Sequence, residues 1–216
     1  MAKLSDLIPA AAKVMGLPEK TVGLYARMLR EAKLISSGGR GPGAADMNAG
    51  DCANLLLAIM GSEHVKDAAI AARLCSTLIL DNASFIGEAQ EGQIANWRPI
   101  PPGLRFLNQP GKEFWQALVE LFERARDGRL QEAFVTFACP MMRIEVATPV
   151  PHAIISISDV VEDDTVNVFF GDFKVDHNAH EKALSYIDCM NERADFRTIH
   201  EVSHRTILAL GEMLRS

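Results

Sequence analysis

The stretch PAAAKVMGLPEKTVGLYARMLREAKLI, residues 9–35, decides how the N-terminal part of the chain folds. It opens with a proline, which suits a first helical turn, and continues with strong helix formers until Gly16 stops the helix. Pro18 is placed to begin a second helix over residues 19–33. The stretch therefore predicts two helices joined by a tight turn. The second helix has one apolar stripe at helical spacing, formed by Val22, Ala26 and Leu29.

The opposite side of the second helix is polar and basic, which is typical of a helix that reads DNA. Such a helix enters the major groove with its N-terminal residues facing the base edges. The next segment, residues 36–45, has four glycines and one proline, so it cannot continue a helix and favours a tight turn or wing. Glycines in a wing let the chain approach the DNA backbone closely. The candidate DNA-binding residues are Lys20, Thr21, Leu24, Arg27, Arg30 and Arg40.

The run AAKVMGLPEKTVGLYARMLREAKLI (11–35), followed by GGRGPG (38–43), resembles winged helix-turn-helix DNA-binding domains. The alanine pair, the turn glycine, Tyr25 in the second helix and the closing Leu-Ile are similar to the MerR type in particular. The resemblance covers about the first 60 residues and implies a head that binds duplex DNA. No long dimerising helix of the MerR kind follows, so inducer sensing is not implied. The arrangement is also similar to small phage or prophage proteins with such a head, whereas the C-terminal half carries no resemblance.

The charge distribution agrees with a DNA-binding head. The whole chain has a net charge of −6, which argues against binding nucleic acid over its entire surface. Residues 1–45, however, carry seven Lys/Arg and three acidic residues, a net charge of +4. The remaining residues carry 15 basic and 25 acidic groups, a net charge of −10. A small basic head on an acidic body predicts that a polyanion binds at the N-terminus alone.

The rest of the chain predicts an α+β protein with an antiparallel sheet. Residues 49–60 and 63–80 have helical patterns, the second with Ser62 as its cap, so we expect the first 85 residues to be all-helical apart from the wing. Residues 113–127 form an amphipathic helix. Alternating or β-branched runs then predict strands, and the last residues return to a helix. The predicted strands are 142–148, 152–161 and 165–173, with a polar turn at 162–164. Residues 179–190 are predicted to be helical, and the tail from Phe196 has an ambiguous pattern at first and is then helical through Leu214.

These elements divide the chain into three parts. Residues 1–85 are interpreted as the DNA-binding domain. Residues 86–112 are rich in glycine and proline without periodicity, so they are interpreted as a linker or long surface connection. Residues 113–216 form an α+β domain for self-association or for binding another protein.

A second motif offers a different hypothesis. The sequence HEVSH, residues 200–204, matches the H-E-x-x-H pattern of zinc metalloproteases, with His200 and His204 as ligands and Glu201 as the general base. A catalytic zinc needs a third protein ligand, and Glu212 lies about 12 Å farther along a helix, which is too far. An upstream ligand from the DHNAH stretch (176–180) is the remaining source. We therefore interpret HEVSH as a coincidence and expect no metal site.

The four cysteines, Cys52, Cys75, Cys139 and Cys189, form no C-x-x-C pair, and we expect reduced, mostly buried thiols. The sequence has neither a signal-peptide pattern nor a membrane-spanning run, which predicts a cytoplasmic protein with no membrane partner. The function predicted from these features is sequence-specific binding of double-stranded DNA by a homodimer or higher oligomer, as a transcriptional regulator without a cofactor or enzymatic activity. The alternatives are a phage DNA-packaging recognition subunit and a zinc metallohydrolase that uses HEVSH.

Overall fold

The structure is a computed structural model that describes the residues 2–39, 43–86, 100–135, 137, 140–148, 151–159, 164–171 and 198–215. None of the helices within these residues is long and apolar enough to cross a membrane. The described residues also form 3-10 helices at Val65–Asp67 and Pro102–Asn108. The α-helices are α1 (Leu4–Met15), α2 (Glu19–Glu31), α3 (Ala49–Met60), α4 (Ala68–Ser76), α5 (Phe114–Asp127), α6 (Arg129–Ala133) and α7 (His204–Met213).

A single antiparallel sheet contains all the described strands. Its strand order is β1-β4-β3-β2-β5, so the first and last strands of the chain form the two edges. The predicted α+β class with an antiparallel sheet is therefore confirmed. The strands are β1 (Ile79–Ile86), β2 (Pro140–Thr148), β3 (His152–Asp159), β4 (Asp164–Gly171) and β5 (Thr198–Ser203).

The central strands form where the sequence alternates. Ile144 and Val146 in β2 are fully buried, whereas Arg143 is exposed, because successive side chains of a strand point to opposite faces. β3 and β4 pair antiparallel in the predicted hairpin arrangement. Residues 160–163 of the connecting turn and the predicted helix 179–190 lie outside the described residues.

The buried face of the sheet packs on a layer of helices. The ring of Phe114, at the start of α5, lies 5.1 Å from the ring of Phe170 in β4, measured between centroids. α5 also packs against α3 and α7, and α1 packs against α7, so the N-terminal helices are attached directly to this core. Of the apolar face predicted for 113–127, Leu118, Leu121, Phe122 and Ala125 are fully buried, whereas Trp115 is only partly buried. Phe114 and Ala117 are fully buried as well.

The helix predicted over residues 63–80 is wrong at both ends. Ser62 does not cap a helix, because its hydroxyl donates to the carbonyl of Ala58 at 2.6 Å. At the other end α4 stops at Ser76, and residues from Ile79 form β1 and pair with β4. The stretch STLIL (76–80) suits either a helix or a strand by local preference. Its end forms a strand because Ile79 and Leu80 pair with β4, which is distant in the sequence. The first 85 residues are therefore not all-helical.

The predicted linker contributes to the core. Within its described part, Leu104 and Leu107 are fully buried and Phe106 is nearly so, on one 3-10 helix. The guanidinium group of Arg124 lies 4.4 Å from the centre of the Phe106 ring, a cation–π contact. Leu104, Phe106 and Leu107 belong to one hydrophobic cluster that includes residues on both sides of 86–112. The proposed division at 86–112 consequently does not separate two hydrophobic cores.

Candidate nucleic-acid interface

The predicted pair of helices at the N-terminus is present. α1 ends at Gly16, which has a left-handed backbone (φ 66°) that favours glycine, and the Gly16 N–H donates to the carbonyl of Ala12. Two residues later, Pro18 has an extended backbone, and its carbonyl accepts from the N–H groups of Thr21 and Val22 to start α2. A three-residue turn, 16–18, thus joins the two helices.

One side of α2 is buried and fixes the helix in place. Val22, Tyr25, Ala26 and Leu29 make up this side, and the Tyr25 hydroxyl donates to the carbonyl of Ser62 at 3.4 Å. α2 packs against α1, α3 and α4. Because these contacts all lie on one side, the other side of the helix faces solvent.

The candidate residues of α2 lie together on its solvent side. Lys20, Leu24, Arg27 and Arg30 are exposed, and Thr21 is half-buried. Leu24 is a large apolar side chain with 44% of its surface exposed. The structure therefore brings five of the six predicted DNA-binding residues onto one helix.

Three of the five charged side chains of α2 are cations, Lys20, Arg27 and Arg30, and the other two, Glu19 and Glu31, are acids; all five are exposed. Neither Lys20 nor Arg30 makes an ion pair within the described part of the chain. Arg27 pairs with Glu31 one turn later at 2.7 Å, and the hydrogen bond that Arg27 donates to Glu31, together with the Glu31 charge, raises the pKa of Arg27. Both partners are more than half exposed, and such pairs contribute little. Arg27 can therefore exchange Glu31 for another anion at low cost.

A further cation, missed from the sequence, reaches the end of α2 from another element. Arg73 of α4 is exposed and donates to the carbonyl of Ala32 at 3.3 Å, which places its guanidinium group beside the last turn of α2. Arg30 and the exposed Lys33 belong to the same end. Arg73 is 41 residues from Ala32 in the sequence, so no local sequence pattern indicates that the two are close.

Gly23 lies on one flank of the solvent side of α2, between Arg27 and Arg30 around the helix axis. A Cβ built at this position would meet no atom within 4 Å, and the backbone is not left-handed. Glycine in a helix interior destabilises a protein by roughly 0.5–1 kcal/mol relative to alanine. Neither packing nor backbone conformation explains the glycine here.

The glycine-rich segment that follows α2 is closely packed, but a β-hairpin wing is not seen. A Cβ at Gly38 would lie 2.6 Å from the backbone nitrogen of Ala45, so the two arms of the segment touch. The ammonium group of Lys3 donates to the carbonyl of Ala44 and pairs with Asp46 at 2.6 Å. Within the described residues, 34–39 and 43–48, the only β-type pairing is the isolated bridge between Lys3 and Asp46. Arg40 lies outside the described residues.

The HEVSH motif does not lie on a helix, so the geometry assumed for a zinc site is wrong. His200 and Glu201 belong to strand β5, whereas His204 begins α7 after Ser203 caps it. A helix over the motif would also place Ile199 and Val202 on one apolar stripe, but both residues belong to β5. Pairing with β2, in which Val202 lies opposite Ile144, decides for the strand.

The motif side chains make structural contacts instead. The Nδ1 of His200 lies 2.7 Å from the carbonyl oxygen of Met60 and donates to it. The Nδ1 of His204 accepts from the backbone N–H of Met142 at 3.3 Å, and Glu201 pairs with Arg143 at 3.4 Å. No group of three or more metal-ligating side chains occurs in the part of the chain that the structure describes. DHNAH lies outside that part.

Two of the four cysteines are described, and both are buried and free. Burial raises the pKa of Cys52 to about 12, with a smaller effect of the Asp51 charge, and raises the pKa of Cys75 to about 11. Thiols with such pKa values stay protonated at neutral pH and are unreactive. The prediction of reduced, buried thiols is confirmed for these two.

Comparison of the chain with models of protein families, with curated proteins and with solved structures gives no significant match.

Proposed function

We propose that the protein binds double-stranded DNA through the solvent side of α2. The observation that carries the proposal is the side itself: it presents Lys20, Arg27 and Arg30 together with an exposed Leu24, on a helix that a three-residue turn joins to α1. Lys20 stands in the first turn of α2, where the helix dipole disfavours a cation. Its position therefore does nothing for helix stability, and an anionic partner accounts for it.

The proposed binding mode follows from the arrangement along α2. Residues in the first half of a recognition helix face base edges in the major groove, so Thr21 and Leu24 contact bases, and both can pack on the methyl group of thymine. The cations Lys20, Arg27 and Arg30 neutralise phosphates and set the position of the helix on the duplex. Glycine-rich residues after α2 take the part of a wing in this proposal, with Arg40 as its cation.

We further infer that the protein regulates transcription as a homodimer. Two identical heads gain affinity because the second head binds from a high effective concentration, and they read two half-sites. The acidic remainder of the chain repels DNA and therefore restricts binding to the heads.

The test compares two triple variants that remove the same charge. Lys20→Ala/Arg27→Ala/Arg30→Ala changes α2, whereas Arg105→Ala/Arg129→Ala/Arg205→Ala changes three exposed arginines on other elements. Binding is measured by fluorescence anisotropy with a labelled pool of random-sequence duplex DNA over a range of salt concentrations. We expect the α2 variant to bind more weakly and its log–log salt slope to fall by about 0.9 for each phosphate that the variant no longer neutralises.

The control triple is expected to bind like the wild type, because its arginines lie outside the proposed interface. Equal binding by the α2 variant and the wild type would show that α2 is not the interface. An equal weakening in both triples would show that only total charge matters, and would contradict an interface on α2 as well.

A further inference from the structure

Gly23 lies at the centre of three cations on α2. Lys20, Arg27 and Arg30 are three residues before, four after and seven after Gly23, and these separations place them on the same side of a helix. All three are exposed. Two exposed acids adjoin these cations: Glu19, four residues before Gly23, and Glu31, whose carboxylate pairs with Arg27. The missing side chain therefore leaves helix backbone open to solvent, bordered mainly by positive charge.

The solvent side of α2 also has two unlike halves. At 100° per residue, Gly23 lies with Arg27 and Arg30 on one half, whereas Thr21 and Leu24 lie on the other. The half with Arg27 and Arg30 has no side chain at Gly23, whereas the other half has the exposed apolar side chain of Leu24. Duplex DNA presents two matching surfaces: the phosphate backbone suits the cationic half of α2, and the base edges of the groove suit the half with Leu24.

We propose that a phosphate of duplex DNA lies directly against Gly23, held by Lys20, Arg27 and Arg30; this inference rests on the function proposed above. Glycine lets a ligand approach the helix backbone more closely than any other residue does. Arginine binds phosphate oxygens through two parallel N–H donors, so Arg27 and Arg30 hold the phosphate from one side and Lys20 from the other. Gly23 therefore permits the phosphate contact, although a glycine at this position destabilises α2.

The test separates stability from binding at one position. Gly23→Ala and Gly23→Gln both replace glycine by a good helix former, so both are expected to melt higher than the wild type, by about 1–4 °C. Both are expected to bind duplex DNA more weakly in the anisotropy assay. For Gly23→Gln we expect affinity to fall about tenfold, the equivalent of one charge-assisted hydrogen bond.

Ser5→Gln is the matched control, since it adds a glutamine to the exposed surface of α1 and leaves α2 unchanged. This variant is expected to bind DNA like the wild type. If the wild type binds with a salt-dependent affinity and Gly23→Gln binds equally well, the close contact is overturned and the proposed function stands. If the wild type shows no binding at low salt, both fall. A lower melting temperature for Gly23→Ala would mean that the fold itself requires the glycine, and would also overturn the inference.

Discussion

At the scale of single residues, the two histidines of HEVSH show how a sequence motif and a structural role differ. β5 ends at Ser203, which lies opposite Arg143 of β2, so the N–H of Met142 lies one residue beyond the last pair. The ring of His204 accepts that N–H and takes the place of a strand carbonyl. His200 meets the carbonyl of Met60 in α3. Each histidine therefore satisfies a backbone group of a different element.

The role of His204 predicts a pH dependence of stability. Burial has the largest effect and lowers the pKa of His204, the backbone of Met142 raises it to a smaller extent, and the positive charge of Arg205 lowers it further. A protonated Nδ1 also cannot accept the N–H of Met142. Because the folded protein disfavours the charged ring, the stability from His204 is fully present above about pH 6.5, the usual value, and is lost as the pH falls below it.

We therefore expect the melting temperature of the wild type to fall between pH 7.5 and pH 5, and the fall to be smaller in His204→Gln. Glutamine keeps an acceptor and does not titrate in this range. Thermal unfolding followed by circular dichroism at both pH values measures the difference. An identical fall in both proteins would mean that other groups cause it.

At the scale of elements, the start of α3 holds the end of α2 and the segment that follows it. Asp51 is almost fully buried, and its carboxylate accepts the N–H groups of Ser36 at 2.7 Å and Asn48 at 2.9 Å. The side chain of Asn54, one turn later, donates to the carbonyl of Leu34 at 2.6 Å. The capping box that Asn48 and Asp51 form at the start of α3 therefore also fixes the segment around Ser36, which follows the proposed interface helix.

The substitution Asp51→Ala is expected to lower the free energy of unfolding by about 1–3 kcal/mol, because it leaves two backbone N–H groups without their acceptor. Urea denaturation measures the decrease. Asp67→Ala serves as control, since Asp67 precedes α4 and its side chain makes no capping hydrogen bond. A change within about 0.5 kcal/mol is expected there. Equal decreases in both variants would contradict the proposed role of Asp51.

At the scale of the whole molecule, the shared core changes where self-association can occur. The apolar face of α5 and the buried faces of the strands, which belong to the part of the chain predicted to self-associate, are inside the protein. α4 differs, because Ile70 and Leu74 are 60% and 53% exposed and lie one turn apart on the same side. We therefore place the proposed dimer contact on α4.

Ile70→Lys/Leu74→Lys is expected to convert a dimer into a monomer, because burying two lysines across a dimer interface is unfavourable. Sedimentation equilibrium gives the mass of each protein. Val135→Lys changes another exposed apolar side chain, 80% exposed and outside α4, and should leave the mass unchanged. A wild-type protein that is already monomeric, or a double variant that remains dimeric, would contradict this contact.

Local sequence patterns were enough to predict several helices and strands. Helical spacing and the Gly16 turn specified α1 and α2, the apolar face of residues 113–127 specified α5, and alternation specified the central strands. The same periodicity placed Lys20, Thr21, Leu24, Arg27 and Arg30 on one side of α2. Such patterns repeat within one or two turns of a helix or along a single strand, so they can be recognised without knowing what the element packs against.

Other elements have balanced local preferences, and contacts between distant segments set their conformation. Residues 79–86 and 198–203 became strands because β4 and β2 offered open edges far away in sequence, and pairing with a partner outweighs a weak local preference. The same long-range contacts buried Leu104 and Leu107 of the expected linker and brought Arg73 to the end of α2. These outcomes depend on backbone and side-chain contacts between distant segments, and no local window of sequence contains them.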